Sequence, residues 1–542
     1  MITPEIEIIS QSLGFYPRFH SFLPSIGCNA LILGEFVEAA EFEGEYMGAP
    51  IGSTSDAASN ETRPSGRNIV IFSDGTGQDG SVRADQRLSN IYKMYRAARV
   101  GSDNSINPTE QVVFYDPGLG TETSAVGVTG MRRTITKLIS SVTGRGITTN
   151  IADCYEFIIN HYRPGDRIWL FGFSRGAYTV RCIANVLMLC GVPTRTPTGS
   201  LPRFRKQIRE IADKAVLRVY EHGAGHPRAK YEEERLELAR RFRRDFGAGS
   251  EDEANAAPYF IGAFDTVASL GAKGPLRIFL AMLMVSLIAI LAGAAAGAIH
   301  WLFDANWVTS FAASALLIGT YSLVSHLRTA LKFVWPLMPG MRWPRFHIAQ
   351  WSGKNFDRLL SKSVIFARHA ISIDENRADF PRLKWGWGTS VAAPEEIDGE
   401  AKPFVQLWFA GNHSDIGGSY PEVESRLSDI ALQWMIEEAR SVPYPLLLND
   451  RRLQLYPSPA GVQHDEIAGM ADTISGRTPA FLRWLTKGWT WPVRQRDPVD
   501  NATLHPSVAQ RFAMETVPSQ GADGPYRPEA LRNHELFKHL YS

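Results

Sequence analysis

Short apolar runs recur along the chain, and each one ends in a cluster of glycine and polar residues. This pattern predicts buried β-strands that run into tight turns. Between the runs, apolar residues fall at helical spacing over 148–162 and 176–189. Strands that alternate with helices predict an α/β fold with a mostly parallel sheet and helices on both faces. The predicted strands are Asn68–Phe72, Gln111–Tyr115, Arg167–Phe171, Pro258–Phe264 and Phe404–Phe409.

Two long apolar stretches interrupt this alternation. Neither Ile278–Ile299 nor Ala305–Leu327 contains a Lys, Arg, Asp or Glu residue. As a helix, each is long enough to cross roughly 30 Å of hydrocarbon. We therefore expect a membrane-inserted hairpin, and the alternative is a buried hairpin inside a lid domain. Basic residues flank both ends of the hairpin and favour a cytoplasmic location for those two ends. They are Lys273, Arg277, Arg328 and Lys332.

The remaining patterns divide the chain into five regions. The densely charged stretch 204–246 indicates solvated surface helices without a function of their own. The expected regions are 1–66, a poorly determined extension; 67–275, the first part of the α/β domain; 276–365, the inserted apolar hairpin with a basic, Trp-rich connection; 366–435, the second part of the α/β domain; and 436–542, a helical accessory region.

Composition and charge exclude several classes of function. The formal net charge is +1 over 542 residues, which gives no reason to expect nucleic acid as a partner. Four cysteines are too few for a disulfide framework, and none has the paired spacing of a zinc site. We expect neither a metal nor a cofactor. The first residues carry acids where a signal peptide has basic residues, so we expect no export signal.

The candidate nucleophile is Ser174, at the centre of Gly172-Phe173-Ser174-Arg175-Gly176. This G-x-S-x-G pattern lies between a predicted strand and a predicted helix, where the turn sets the serine oxygen at the helix N-terminus. The flanking glycines let neighbouring backbone pack closely. The pattern alone is weak, and its strand-turn-helix context favours a nucleophile over a helix-capping serine.

A serine hydroxyl needs a base, and the base needs an orienting acid. His413 follows the last predicted strand in a glycine-rich turn, and it is the candidate base. His505 is its competitor, although a helix-start context suits a capping role better. Asp265 ends a predicted strand and is the candidate acid. Asp415 is the alternative acid, with a turn-capping role as its structural interpretation.

The tetrahedral intermediate of such a reaction needs backbone N–H donors for its oxyanion. One donor is expected from Arg175, the residue after the nucleophile. A second is expected from the glycine turn after the first strand, at Gly75 or Thr76, and the alternative there is a simple β-turn. A competing metal interpretation joins four oxygen- and nitrogen-bearing side chains but leaves the Ser174 motif unexplained. Its residues are Asp74, Asp265, His413 and Asp415.

Several blocks in this order resemble a known family. They are Phe72-Ser73-Asp74-Gly75-Thr76, Ser89-Asn90-Ile91-Tyr92, Tyr115-Asp116-Pro117-Gly118-Leu119-Gly120-Thr121, Asn150-Ile151, Gly172–Tyr178, Phe264-Asp265-Thr266-Val267, Gly411–Gly418 and Leu427–Leu432. The chain is similar to the DUF2235 family of α/β-hydrolases, which includes the Tle1-type phospholipase effectors of bacterial type VI secretion. The resemblance covers most of residues 67–435. It departs from the family at Phe264, where Trp is usual, and in the apolar hairpin.

The resemblance implies an α/β-hydrolase-like fold and a triad of Ser174, Asp265 and His413. It also implies esterase or phospholipase activity on lipid. We expect a phospholipase A-type serine hydrolase that forms an acyl-enzyme. The alternatives are a membrane-anchored esterase for a small soluble substrate, and a non-catalytic membrane or interaction protein on a hydrolase scaffold.

The expected location is the bacterial inner membrane, with the catalytic domain in the cytoplasm and membrane lipid as substrate. The alternatives are a cytoplasmic enzyme and a delivered effector, for which a secretion-apparatus or immunity protein is a candidate partner. The Trp-rich basic segment Phe481–Trp491 predicts an interfacial helix or, equally, a packed helix with a basic rim.

Overall fold

A six-stranded parallel sheet forms the centre of the chain in this computed structural model. The strands lie in the order β6-β5-β4-β3-β1-β2 and every neighbouring pair is parallel. The strands are β1 (Asn68–Ser73), β2 (Gln111–Asp116), β3 (Arg167–Phe173), β4 (Pro258–Phe264), β5 (Phe366–Ser372) and β6 (Phe404–Phe409). The structure describes residues 66–75, 78, 87–118, 145–202, 204–267, 274–338, 340–350, 363–378, 380–383, 401–469, 492–496, 498 and 501–541.

Helices cover both faces of this sheet, as the alternating pattern predicts. Successive strand residues point to opposite sides, so Ile69 and Ile71 enter one core while Val70 and Phe72 enter the other. The helices are α1 (Asn90–Ala98), α2 (Arg145–His161), α3 (Arg175–Cys190), α4 (Arg205–Asp213), α5 (Glu232–Phe246), α6 (Gly274–Phe303), α7 (Trp307–Ala330), α8 (His413–Gly417), α9 (Arg426–Arg440) and α10 (Pro506–Phe512). The first core packs against α2, α3, α4 and α5, and the second against α1 and α9.

Strand β5 is the element that the apolar pattern does not predict. It carries Arg368 and His369 in its middle, and both side chains are buried. Arg368 forms an ion pair with Glu438 of α9, and His369 lies 3.3 Å from the hydroxyl of Thr266. A run broken by two titratable residues does not resemble a buried strand until these partners are known.

The two apolar stretches form the antiparallel helices α6 and α7. Both are long and apolar enough to cross a membrane, and only 11% of each span is buried. The buried positions include small residues, Ala292 and Ala296 on α6 and Ser310 and Ser314 on α7. Small side chains allow close approach of helices. Large apolar side chains consequently face away from the rest of the chain.

The described residues after Arg440 are mostly extended segments and short 3₁₀ turns, with α-helix at 466–469 and in α10. They build a third apolar core against the edge of the sheet, where Trp408 of β6 packs with Val508 and Phe512. His505 caps α10 by accepting a hydrogen bond from the Ser507 N–H, the role that its helix-start position favours. The segment Phe481–Trp491 lies outside the described residues.

Candidate active site

The turn between β3 and α3 holds Ser174 in a strained backbone conformation. Its φ is 57° and its ψ is −119°, in a region that residues other than glycine rarely adopt. The turn needs Gly176, because a Cβ atom there would lie 2.0 Å from the carbonyl oxygen of Ser73. The Ser174 hydroxyl makes no capping hydrogen bond to the first turn of α3. The turn therefore fixes the direction of the Ser174 side chain, and the hydroxyl does not cap the helix.

Asp265 and His413 meet at the carboxyl ends of β4 and β6. Nδ1 of His413 lies 2.5 Å from Oδ2 of Asp265, and both side chains are buried. Asp265 also has a positive φ, of 36°, so the acid and the serine both sit on strained turns. Nε2 of His413 is buried and makes no hydrogen bond to any described residue. The imidazole thus has one nitrogen oriented by a carboxylate and one without a hydrogen-bond partner in the described part of the chain.

Backbone and ring contacts connect the Ser174 turn to the segments that carry Asp265 and His413. The N–H of Ser174 donates to the carbonyl oxygen of Phe264, the residue before Asp265, at 3.1 Å. The ring of Phe173 packs against the imidazole of His413 with 4.6 Å between centroids. Serine, aspartate and histidine therefore follow the carboxyl ends of β3, β4 and β6, in the order that the sequence predicts.

Arg496 is a partner of Asp265 that the sequence motifs do not indicate. Its guanidinium forms a two-pronged ion pair with the carboxylate, with Nη2 2.9 Å from Oδ2. The Ser372 N–H donates to Oδ1 at 3.1 Å. Burial alone would raise the pKa of Asp265, but Arg496 and His413 together hold it below its ordinary value. The carboxylate stays ionised although it is fully buried.

The alternative acid, Asp415, faces a different histidine. Its Oδ1 lies 2.7 Å from Nδ1 of His464, and its Oδ2 accepts the N–H of Asn412. Asn412 in turn accepts the Asp415 N–H, which completes a capping box at the start of α8. The N–H of His413 donates to Glu375 at 3.2 Å. Asp415 therefore shapes the turn that carries His413 and does not contact its imidazole.

The turn after β1 lies beside the serine. A Cβ atom added at Gly75 would come within 3.4 Å of Cβ of Ser174. The Gly75 N–H donates to Oδ1 of Asp74 at 2.7 Å, and Thr76 lies outside the described residues. Burial raises the pKa of Asp74 to about 6, and its carboxylate accepts from the hydroxyls of Ser89 and Tyr115. Arg175 begins α3, so its N–H lies at the helix N-terminus.

The four residues of the metal interpretation have separate partners. The Asp74 carboxylate is bonded to Ser89 and Tyr115, and Asp415 is bonded to His464. Asp265 and His413 form the pair held by Arg496. Within the described residues these side chains do not converge on one shared site.

A model of the catalytic domain of Tle1-like phospholipase effectors of the type VI secretion system matches residues 67–302 and 317–438. These residues make up more than half of the chain. The chain belongs to this family. The Tle1-like match includes Ser174, Asp265 and His413, and it runs through most of α6 and α7. On sequence resemblance alone, the apolar hairpin is a departure from the family. The family model nevertheless matches most of the hairpin residues.

The Tle1-like chain has low sequence identity to the individual proteins that it matches. The uncharacterized protein YEL023C of Saccharomyces cerevisiae is 28% identical over 236 residues, which are 42% of this chain and 30% of that protein. The chain therefore matches less than a third of that relative's length. Among solved structures, an uncharacterized protein from Pseudomonas aeruginosa has a TM-score of 0.30 at 17% identity, covering 72% of this chain and 47% of that one. A Tle1 effector bound to a VgrG spike has a TM-score of 0.22 at 17% identity, covering 71% and 59%.

Proposed function

We propose that this chain is a serine hydrolase that cleaves carboxylic esters of membrane lipids, in a phospholipase A-type reaction. The observation that carries the proposal is the pairing of Asp265 with His413 beside the strained Ser174 turn. Membership of a phospholipase effector family supports lipid as the substrate class.

In this mechanism Nε2 of His413 takes the proton of the Ser174 hydroxyl as its oxygen attacks the ester carbonyl carbon. The tetrahedral intermediate collapses, the proton passes from His413 to the leaving alcohol, and the acyl group stays on Ser174. Water, activated by the same nitrogen, then releases the fatty acid. Asp265 holds the imidazole in the correct tautomer and stabilises its protonated form.

The oxyanion of the intermediate would accept from the N–H of Arg175 and from a second donor in the Gly75–Thr76 turn. The turn's closeness to Cβ of Ser174 supports this assignment. Because the Gly75 N–H already donates to Asp74, Thr76 is the better candidate of the two.

We further propose that α6 and α7 insert into a bilayer and hold the catalytic domain at its surface. Exposed apolar side chains support this, since Leu316 and Leu317 are 70% and 71% exposed. Large apolar patches on a folded protein mark an interaction surface. The catalytic domain would lie on the cytoplasmic side of a bacterial inner membrane. Family membership also supports delivery as an effector, with a secretion-apparatus component as partner.

The test is lipid-product analysis after the full chain is mixed with phosphatidylethanolamine and phosphatidylglycerol vesicles. Wild type should release fatty acid and lysophospholipid, and Ser174→Ala should reduce release to background. Ser200→Ala, at an exposed serine, is the matched control and should keep full activity. Equal release by wild type and Ser174→Ala would reject the proposal.

A second candidate is an esterase for a small soluble substrate, with the hairpin as an anchor only. It would hydrolyse short-chain esters at the same rate with and without vesicles and release no fatty acid from phospholipid. A non-catalytic scaffold would fail to label with a fluorophosphonate probe. Labelling that is lost in Ser174→Ala rules out that scaffold.

A further inference from the structure

Two histidines and a glutamate converge next to the segment that returns from the apolar hairpin. His222 lies in the 3₁₀ turn Tyr220–Gly223, Glu234 in α5, and His347 in the two-residue strand His347–Ile348. Their ligand-capable atoms all lie within 4.8 Å of one another. The side chains of His222 and Glu234 are buried, and Nε2 of His222 is 2.8 Å from Oε2 of Glu234.

The hydrogen bonds of His347 fix which of its nitrogens carries the proton. Nε2 lies 2.7 Å from the carbonyl oxygen of His222, which can only accept, so Nε2 carries the proton. Nδ1 of His347 then carries no proton and has a lone pair available. It is buried and has no hydrogen-bond partner among the described residues. An imidazole that donates one N–H to a backbone carbonyl and leaves the other nitrogen bare has the arrangement of a metal ligand.

The surrounding contacts hold these rings in place. Tyr231 stacks on His347 with 3.7 Å between centroids and an interplanar angle of 8°. The rings of His222 and His347 meet edge to face at 4.7 Å. His347 also pairs with Lys332 in a short antiparallel ladder that joins the two ends of the loop after α7. The donors are thus held by packing before any ligand binds.

One carboxylate belongs to the cluster itself, since Glu234 is buried within hydrogen-bond distance of His222. Lys332 and Arg218 are positive groups nearby, and the Lys332 ammonium donates to the carbonyl oxygen of Leu217. Glu221 is a second carboxylate that acts on Lys332. Glu234 is therefore the carboxylate that would contact a bound ion directly.

We propose that His222, Glu234 and His347 bind a divalent first-row transition metal, with Zn²⁺ the best match to a His₂Glu donor set. Tetrahedral coordination brings such ligand atoms to about 3.3 Å from one another, so the cluster contracts slightly around the ion. The metal takes the place of the proton on Nε2 of His222, which moves to Nδ1 of the same ring, and water fills the remaining position.

The consequence is a clamp between two parts of the chain. His222 and Glu234 precede the hairpin and lie on elements whose apolar residues, such as Tyr220 and Phe242, belong to the first core, whereas His347 follows the hairpin. A metal bound by all three would fasten the returning segment to the catalytic domain. The metal would then secure the segment after α7, the end of the hairpin that lies farther along the chain from β4.

The test measures metal binding by the full-length protein in detergent micelles after chelation and dialysis. Wild type should take up one Zn²⁺ per chain, and Co²⁺ in its place should give the visible absorption of a tetrahedral site. His347→Ala and Glu234→Gln should each weaken Zn²⁺ binding by at least about 100-fold, since losing a direct ligand exceeds the effect of losing a supporting residue.

His226→Ala is the matched control. His226 lies 5.8 Å from the His347 ring, and its Nε2 is engaged by the carbonyl oxygen of Ile348. This variant should bind Zn²⁺ as wild type does. Addition of Zn²⁺ should raise the Tm of wild type and His226→Ala, and it should slow hydrogen exchange over residues 340–350.

Wild type without Zn²⁺ uptake, or without the tetrahedral Co²⁺ spectrum, would overturn the proposal even if a variant failed to fold. So would His347→Ala with wild-type affinity. Because neither measurement uses ester hydrolysis, its outcome is independent of the proposed lipase activity.

Discussion

At the residue scale, Asp265 and Asp415 are two buried carboxylates that each hold a different histidine. Asp265→Asn should lower kcat for ester hydrolysis on the order of 10⁴-fold, because the amide neither holds the neutral His413 imidazole in the right tautomer nor stabilises its imidazolium form. Asp415→Asn should lower kcat by less than about 10-fold and cost about 1–3 kcal/mol of stability, because a buried hydrogen-bonded group loses its charge.

Steady-state kinetics and thermal unfolding of the two variants separate these roles. If Asp415→Asn lost as much kcat as Asp265→Asn while keeping its Tm, Asp415 would be the orienting acid instead.

Arg496 should control the acid side of the pH profile. Asp265 must be ionised to orient His413, and the guanidinium holds the pKa of that carboxyl below its ordinary value. In Arg496→Leu the cation is lost while burial remains, so the pKa of Asp265 rises. Activity that depends on the ionised carboxylate should then be lost at a higher pH than in wild type. The measurement is kcat/KM for a short-chain ester between pH 4 and pH 9.

Arg494→Leu is the control for this shift, since Arg494 is two residues away and exposed. Its acid limb should coincide with that of wild type. An Arg496→Leu profile that also coincides, at lower amplitude, would reduce Arg496 to a purely structural residue.

The site shows how far single residues can be predicted. Ser174, Asp265 and His413 follow predicted strands, and parallel strands end at one edge of a sheet, so their proximity could be expected. Their catalytic roles remain predictions. Arg496 could not be expected, because no motif surrounds it and its contact with Asp265 spans 231 residues.

At the element scale, five of the six strands were predicted from apolar runs and β5 was not. The burial of an apolar strand can be predicted from its own composition. Arg368 and His369 are buried where Arg368 pairs with Glu438 and His369 contacts Thr266, which come from other parts of the chain. A strand whose burial depends on distant polar partners cannot be recognised from its own residues.

The packing of α3 on β1 depends on the absence of a side chain at Gly176. Gly176→Ala would place Cβ 2.0 Å from the carbonyl oxygen of Ser73, so the helix must move away from the strand. We expect a loss of about 3 kcal/mol or more in unfolding free energy, together with loss of activity, because Ser174 moves with the helix. Thermal unfolding in detergent measures the change.

Gly524→Ala is the matched control, since a Cβ atom there meets nothing within 4 Å. It should unfold at the wild-type temperature. A Gly176→Ala protein with the same Tm and activity would contradict the close approach of α3 and β1.

At the scale of the whole molecule, we expect a charged substitution to be tolerated on the surface of the α/β domain but not on the exposed apolar hairpin. Leu317, near the middle of α7, and Val423, beside α9, are 71% and 77% exposed. If α7 spans a bilayer, Leu317→Arg should cost about 3 kcal/mol of insertion, whereas Val423→Arg should cost none. Vesicle flotation should recover less Leu317→Arg than Val423→Arg protein. Equal recovery of the two would argue that the hairpin lies outside the membrane.

The ion pair between Arg496 and Asp265 also has a consequence for biosynthesis. Ser174, Asp265 and His413 leave the ribosome before Arg496 does, so the growing chain carries a buried carboxylate without its cation. An Asp265 that lacks Arg496 is easier to protonate and orients His413 less well. The proposed hydrolase would therefore reach full activity only after residue 496 has been translated. If its substrate is membrane lipid, the order of translation would delay damage to the membrane of the cell that makes it.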